Sequence, residues 1–177
     1  MAMDPVLARP LNEPVPMEES RVTLARVMGV MDANNYGDVH GGVIMRAVDE
    51  AAAVAAVRHS GGPAVTAFMD QMAFLEPVKL GDLLTTRAQV NWTGRTSMEV
   101  GVRVTVQRTG ADAEIHVATA HLVFVAIDPE GRPRPVPAVQ PHSEHDRMRF
   151  QEAQIRRASR LERREAIRRL REQGLDH

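Results

Sequence analysis

DANNYGDVHGGVIMRAVDEAAAVAAVRH, running from Asp32 to His59, joins a polar loop, a double-glycine helix start and an isolated acid on an otherwise apolar helix. From Gly42 onward the apolar residues fall at 43, 44, 47, 48, 51, 54 and 55, which is helical spacing. Ser60-Gly61-Gly62-Pro63 ends the run, because glycine is free to take a left-handed cap and proline cannot continue a helix. One long helix over 42–59 is predicted.

Outward from that helix the pattern changes. A first strand is predicted at Val22 to Val30, and four more at Ala64 to Leu75, Leu83 to Trp92, Ser97 to Arg108 and Glu114 to Ile127. In the fourth strand Met98, Val100, Val102, Val104 and Val106 alternate with Glu99, Gly101, Arg103, Thr105 and Gln107, a period of two. Thr93-Gly94-Arg95-Thr96 and Thr109-Gly110-Ala111-Asp112 supply turns, so these strands form an antiparallel meander. The class is α+β, a five-stranded antiparallel sheet with one long helix. That helix covers only one face, so the other face or a sheet edge is expected to meet another subunit. Prolines at 5, 10, 14 and 16 make residues 1–19 an extended arm, and residues 20–140 form the domain. After a Pro-rich linker at 132–137, residues 141–177 form a helical tail with ten arginines, expected to be solvated, laced by i,i+4 pairs and partly docked.

The 177 residues suffice for one domain with a core. Cysteine is absent, which excludes disulfides and thiolate catalysis and fits a cytoplasmic location. A net charge of -1 gives no global attraction to nucleic acid or anionic membrane, and 3% aromatics argue against base-stacking platforms. No signal peptide or run of eighteen apolar residues is present, so a soluble protein is expected.

On the helix, Arg46 lies three residues before Asp49 and four before Glu50. This is either an ordinary ion pair on a solvated face or a cleft acid able to activate water. Gly41-Gly42 puts unpaired amides at a helix N-terminus, suited to a carbonyl oxygen or needed for a tight turn. No Gly-Lys-Ser/Thr follows, which argues against a phosphate loop. His40, Asp49 and His59 lack zinc-ligand spacing, and His116 and His121, five apart, are predicted on opposite strand faces. No metal is expected. Ser60 and Ser97 lack a nucleophile elbow.

The run from Asp32 to His59, continued through Ala67 to Glu76, Gly94 to Val100 and the strand ending Phe124-Val125-Ala126-Ile127, resembles the hot-dog-fold acyl-CoA thioesterases of the cytosolic acyl-CoA hydrolase type. The resemblance implies a sheet wrapped around the central helix and hydrolysis of fatty acyl-CoA, with coenzyme A part of the substrate and no separate cofactor. It implies catalytic roles for Asn34 and Asp49 drawn from different subunits, Asp49 as general base or nucleophile and Asn34 orienting water or thioester. Amides of Gly42 and Val43 would hold the carbonyl oxygen. His40 and Gly41 would line the substrate site, and Arg95, Thr96 and Ser97 would contact pantetheine or phosphate. A homodimer, or a trimer of dimers, is implied. A non-catalytic acyl-CoA-binding module signalling through the basic tail is the alternative. A dehydratase of the same fold would need its histidine elsewhere than before Gly41-Gly42.

Overall fold

The computed structural model describes residues 9–172. In chain order it contains β1 (Val15–Pro16), a 3-10 turn at Met17–Ser20, β2 (Val22–Val27), a second 3-10 turn at Val30–Asp32 and α1 (Gly41–Ser60). Then come β3 (Ala64–Phe74), β4 (Leu83–Thr93), β5 (Ser97–Gln107), β6 (Glu114–Ala126), β7 (Val139–Gln140) and α2 (Glu144–Glu172). Five strands make one antiparallel sheet in the order β2-β4-β5-β6-β3. The short β1 and β7 pair in parallel, which ties the segment expected as an arm to the Pro-rich exit. Val15 and Met17 are buried there.

The sheet wraps around α1. Ile44, Val48, Ala51, Ala52, Ala55 and Ala56 are buried against the inward residues of β4, β5 and β6, among them Val90, Met98, Val100, Leu122 and Phe124. Alanine dominates the contact stripe because short side chains let helix and sheet approach closely, and the valines then fill the remaining volume. Gly61 closes α1 with φ 66°, its N–H donating to Val57 O at 2.9 Å, the left-handed cap the sequence predicts.

Bulges set which residues face which way. In β6 the register skips Val117, so Thr105 pairs with His116 while Val104 pairs with Ala118. His116 therefore shares the outer face with Thr119 and His121, and its Nε2 lies 2.8 Å from Thr119 Oγ1. The expectation of opposite faces fails because one extra residue reverses the alternation. In β3 the pairing to β6 skips Ala67 and Asp70.

The outer face is covered in part by the chain's own α2, a use the alternation pattern does not suggest. Glu99, only 1% exposed, accepts from Arg156 at 2.7 Å and from Arg160 at 3.0 Å. Arg160 also donates to Asp70 at 2.6 Å. Nearer the start of α2, Asp146 holds Arg21 at 3.1 Å and Ala153 is fully buried, while Arg157 stacks over Trp92 at 4.9 Å. Beyond Arg163 the tail is laced by internal pairs such as Arg168–Glu165 and Arg169–Glu165. Among the described residues no helix is long and apolar enough to cross a membrane.

Candidate active site

Asn34 lies in a loop anchored at both ends. Asp32 pairs with Arg26 and accepts from Gly29 N–H at 2.8 Å, while Val39 N–H donates to Val78 O at 2.9 Å. Inside it, Asn34 Oδ1 accepts from Tyr36 N–H at 2.8 Å and Asp38 N–H at 3.1 Å. This Asx arrangement fixes the amide plane and leaves Nδ2, which has no partner among the described residues, as the donating end. Asn34 lines a cleft of about 330 Å³ with Gly41, Ile44, Phe74, Leu75 and Val78.

Asp49 is half-buried on α1 and turns towards β3, where Thr66 Oγ1–H donates to its Oδ1 at 2.6 Å. Arg46 pairs instead with Glu50 at 2.8 Å, which decides between the two acids on that helix. Asp49 Oδ2 has no hydrogen-bond partner among the described residues. A carboxylate held by one oxygen and open at the other can accept a proton from water. Sequence reasoning missed Thr66. Its only signal is a lone hydroxyl on the inward face of a strand stretch otherwise made of Ala, Val, Phe and Met.

Within one chain Asn34 and Asp49 share neither a hydrogen bond nor the cleft. Eight residues of helix place Asp49 roughly 12 Å beyond Gly41. Asn34 belongs to the Phe74 end of β3 and Asp49 to the Thr66 end.

His40 caps α1. Its Nδ1 accepts from Gly42 N–H and its carbonyl from Val43 N–H, both at 2.9 Å. The reading of these amides as open donors is thus corrected for the free chain, because the cap engages both. Gly41 stays at the cleft, where a Cβ would sit 3.5 Å from the Phe74 ring. Arg95 and Thr96 lie in the β4–β5 turn and Ser97 opens β5; Val136 N–H donates to Arg95 O and ties the turn to the exit segment, and Ala126 N–H, at the end of β6, donates to Thr96 O, each at 3.0 Å. Ser97 pairs with Val125, which pairs with Val65, so this turn lies at the Thr66 end of the sheet.

Residues 36–112 match the Thioesterase superfamily model. Over 131 residues the chain is 37% identical to an uncharacterized acyl-CoA thioester hydrolase of Bacillus subtilis, covering 74% of this chain and 76% of that one. It is 32% identical over 146 residues to the mouse cytosolic acyl coenzyme A thioester hydrolase, covering 81% of this chain but 38% of that longer protein. Among solved structures, an acyl-CoA hydrolase of Staphylococcus aureus in complex with butyryl coenzyme A and coenzyme A superposes with a TM-score of 0.83 at 33% identity, covering 93% of this chain and 100% of that one. An apo-hexameric acyl-CoA thioesterase gives 0.82 at 34% identity, covering 85% and 97%. On these likenesses, and on a sheet wrapped around α1, the chain belongs to the thioesterase superfamily, among its hot-dog-fold acyl-CoA thioesterases.

Proposed function

We propose that this protein hydrolyses acyl-CoA thioesters to the free carboxylic acid and CoA, with Asp49 as general base and the partner's Asn34 completing each site. The observation that carries the reading is the Asp49–Thr66 pair, an acid aimed by a hydroxyl at an open sheet edge and free of the neighbouring arginine. Variants of the Staphylococcus aureus enzyme replace one Asn, one Asp and one Thr with alanine, at positions separated by fifteen and seventeen residues. Asn34, Asp49 and Thr66 have the same two spacings.

Two copies complete the site through β3. This strand is one edge of the sheet and carries exposed Val65, Phe68 and Phe74. Pairing it antiparallel with a partner's β3 lays the Phe74 end of one chain beside the Thr66 end of the other. The partner's Asn34 cleft then adjoins Asp49, and two-fold symmetry gives two equivalent sites. Relatives described as hexameric support self-association in this family.

In the reaction Asp49 takes a proton from water, and the resulting hydroxide attacks the thioester carbon. The tetrahedral intermediate expels CoA as thiolate, which takes the proton held by Asp49 and so restores the carboxylate. Asn34 Nδ2 donates to the water or the carbonyl oxygen. Rotation of the exposed His40 side chain would release Gly42 N–H to that oxygen at a helix N-terminus, while Val43 N–H stays in the cap. Gly41 leaves room at the cleft for the acyl chain beside Phe74. Arg95, Thr96 and Ser97, at the Thr66 end, would meet the pantetheine arm or phosphates.

A thiol-release assay over acyl-CoAs of graded length tests this. Asp49→Ala should reduce turnover at least 100-fold, and Thr66→Val should lower kcat with little change in KM, both with unchanged circular dichroism. Full turnover by Asp49→Ala would sink the mechanism.

A further inference from the structure

The far end of α2 leaves the body over the edge strand. Its direction follows from its contacts: Asp146 meets Gln89 on β4, Arg156 meets Glu99 on β5, and Arg160 and Arg163 meet Asp70 on β3. Three strand spacings, about 15 Å, are crossed in that distance. The nine residues from Arg164 to Glu172 continue for roughly 13 Å more. Among the described residues their side-chain ion pairs all stay within the helix.

The side facing the sheet is defined by spacing. From Asp146 it steps by alternating three and four residues to Ala153, Arg156, Arg160 and Arg163, and the next two steps fall on Ile167 and Leu170. Over the chain's own sheet the stripe matches what lies beneath it, arginines above Glu99 and Asp70. Past the edge it turns apolar, with Ile167 43% and Leu170 52% exposed. A stripe that keeps its period but changes its chemistry at the sheet's edge faces a different surface there.

We propose that residues 164–172 form an arm that lies across the outer face of a second copy of this chain. This rests on the β3 pairing proposed above. When two identical edge strands pair antiparallel, the two-fold axis stands perpendicular to the sheet, so both outer faces remain on one side. An α2 that overhangs β3 then has the partner's outer face beneath it, and the partner's arm returns the contact. The seam suits Ile167 and Leu170. On the outer side of β3, Val65 pairs with Val125 and Phe68 with Val123, and Val65 and Phe68 are 46% and 45% exposed.

The test compares the parent chain with Ile167→Asp/Leu170→Asp by sedimentation equilibrium. Both positions are exposed in the single chain, so the variant should fold. The dimer dissociation constant should rise at least about tenfold. Because the chain contains no cysteine, Leu170→Cys adds a second readout. Its labelling by a maleimide should slow as chain concentration rises through the association range. Equally tight association of the double variant, or a concentration-independent labelling rate, would overturn the arm and leave β3 pairing in place. A parent chain that stays monomeric would overturn both.

Discussion

Arg46 has an acid at three and at four residues' distance, and the longer Glu50 takes it. Asp49, one residue back, falls on the side of α1 that meets β3, so a 100° rotation about the helix axis separates a surface ion pair from the candidate base. Another single residue makes the fold sensitive to pH. His59, in the last turn of α1, is fully buried; its Nε2 lies 3.1 Å from Pro137 O, and its buried Nδ1 has no partner among the described residues. Burial holds its pKa below the ordinary 6.5, against a smaller opposite effect of the Pro137 carbonyl; Arg9 lowers it a little further and Glu19 raises it. The unfolded chain thus binds this proton more readily, and stability falls as pH drops below about 6.5. His121 adds to the same trend, pushed down to about 4 by burial and then by Arg156. Thermal melts from pH 7.5 to 5 should show a steeper loss of Tm for the parent chain than for His59→Gln. Parallel curves would refute the assignment.

At the scale of elements, α2 is fastened by charge. Glu99 is nearly inaccessible and lies between Arg156 and Arg160, both mostly covered. Glu99→Ala leaves those guanidinium groups without their shared acceptor and should lower unfolding stability by about 3 kcal/mol in urea titration. Arg132→Ala, in an exposed turn, should leave the midpoint unchanged. Partial docking of the tail is expected from its sequence, but the buried acids that fasten it were not legible there. Glu99 occupies the polar phase of an alternating strand, which reads as solvent-facing, and only tertiary contact reveals that arginines 57 and 61 residues away cover it. The bulge at Val117 was equally hidden, since it lies within a continuous strand-like run. By contrast, the limits of α1 and of the long strands follow from period and turn residues. Local pattern determines those, and the observed ends differ from the predicted ones by a residue or so, except in β2, which stops at Val27 rather than Val30. Of the site, Asn34 and Asp49 came from family resemblance. Thr66 did not, because a hydroxyl in a strand gains meaning only when the helix packs opposite it.

For the whole molecule, the separation of Asn34 from Asp49 in one chain and the antiparallel logic of the β3 edge lead to one quantitative expectation. If each site takes Asp49 from one copy and the partner's Asn34 from the other, chains carrying Asn34→Ala and chains carrying Asp49→Ala are both inactive alone. Mixed by co-expression, they form statistical dimers, of which about half are hybrids. A hybrid holds one site with both residues intact and one site lacking both. Thioester hydrolysis should therefore recover to about a quarter of the wild-type rate per chain. Assembly of both residues within a single chain predicts no recovery at any mixing ratio, because every site would then lack one of them. The dependence on ratio is itself diagnostic. Activity should peak at equal proportions and fall to zero at either end, a parabola that residual activity of one variant would not give.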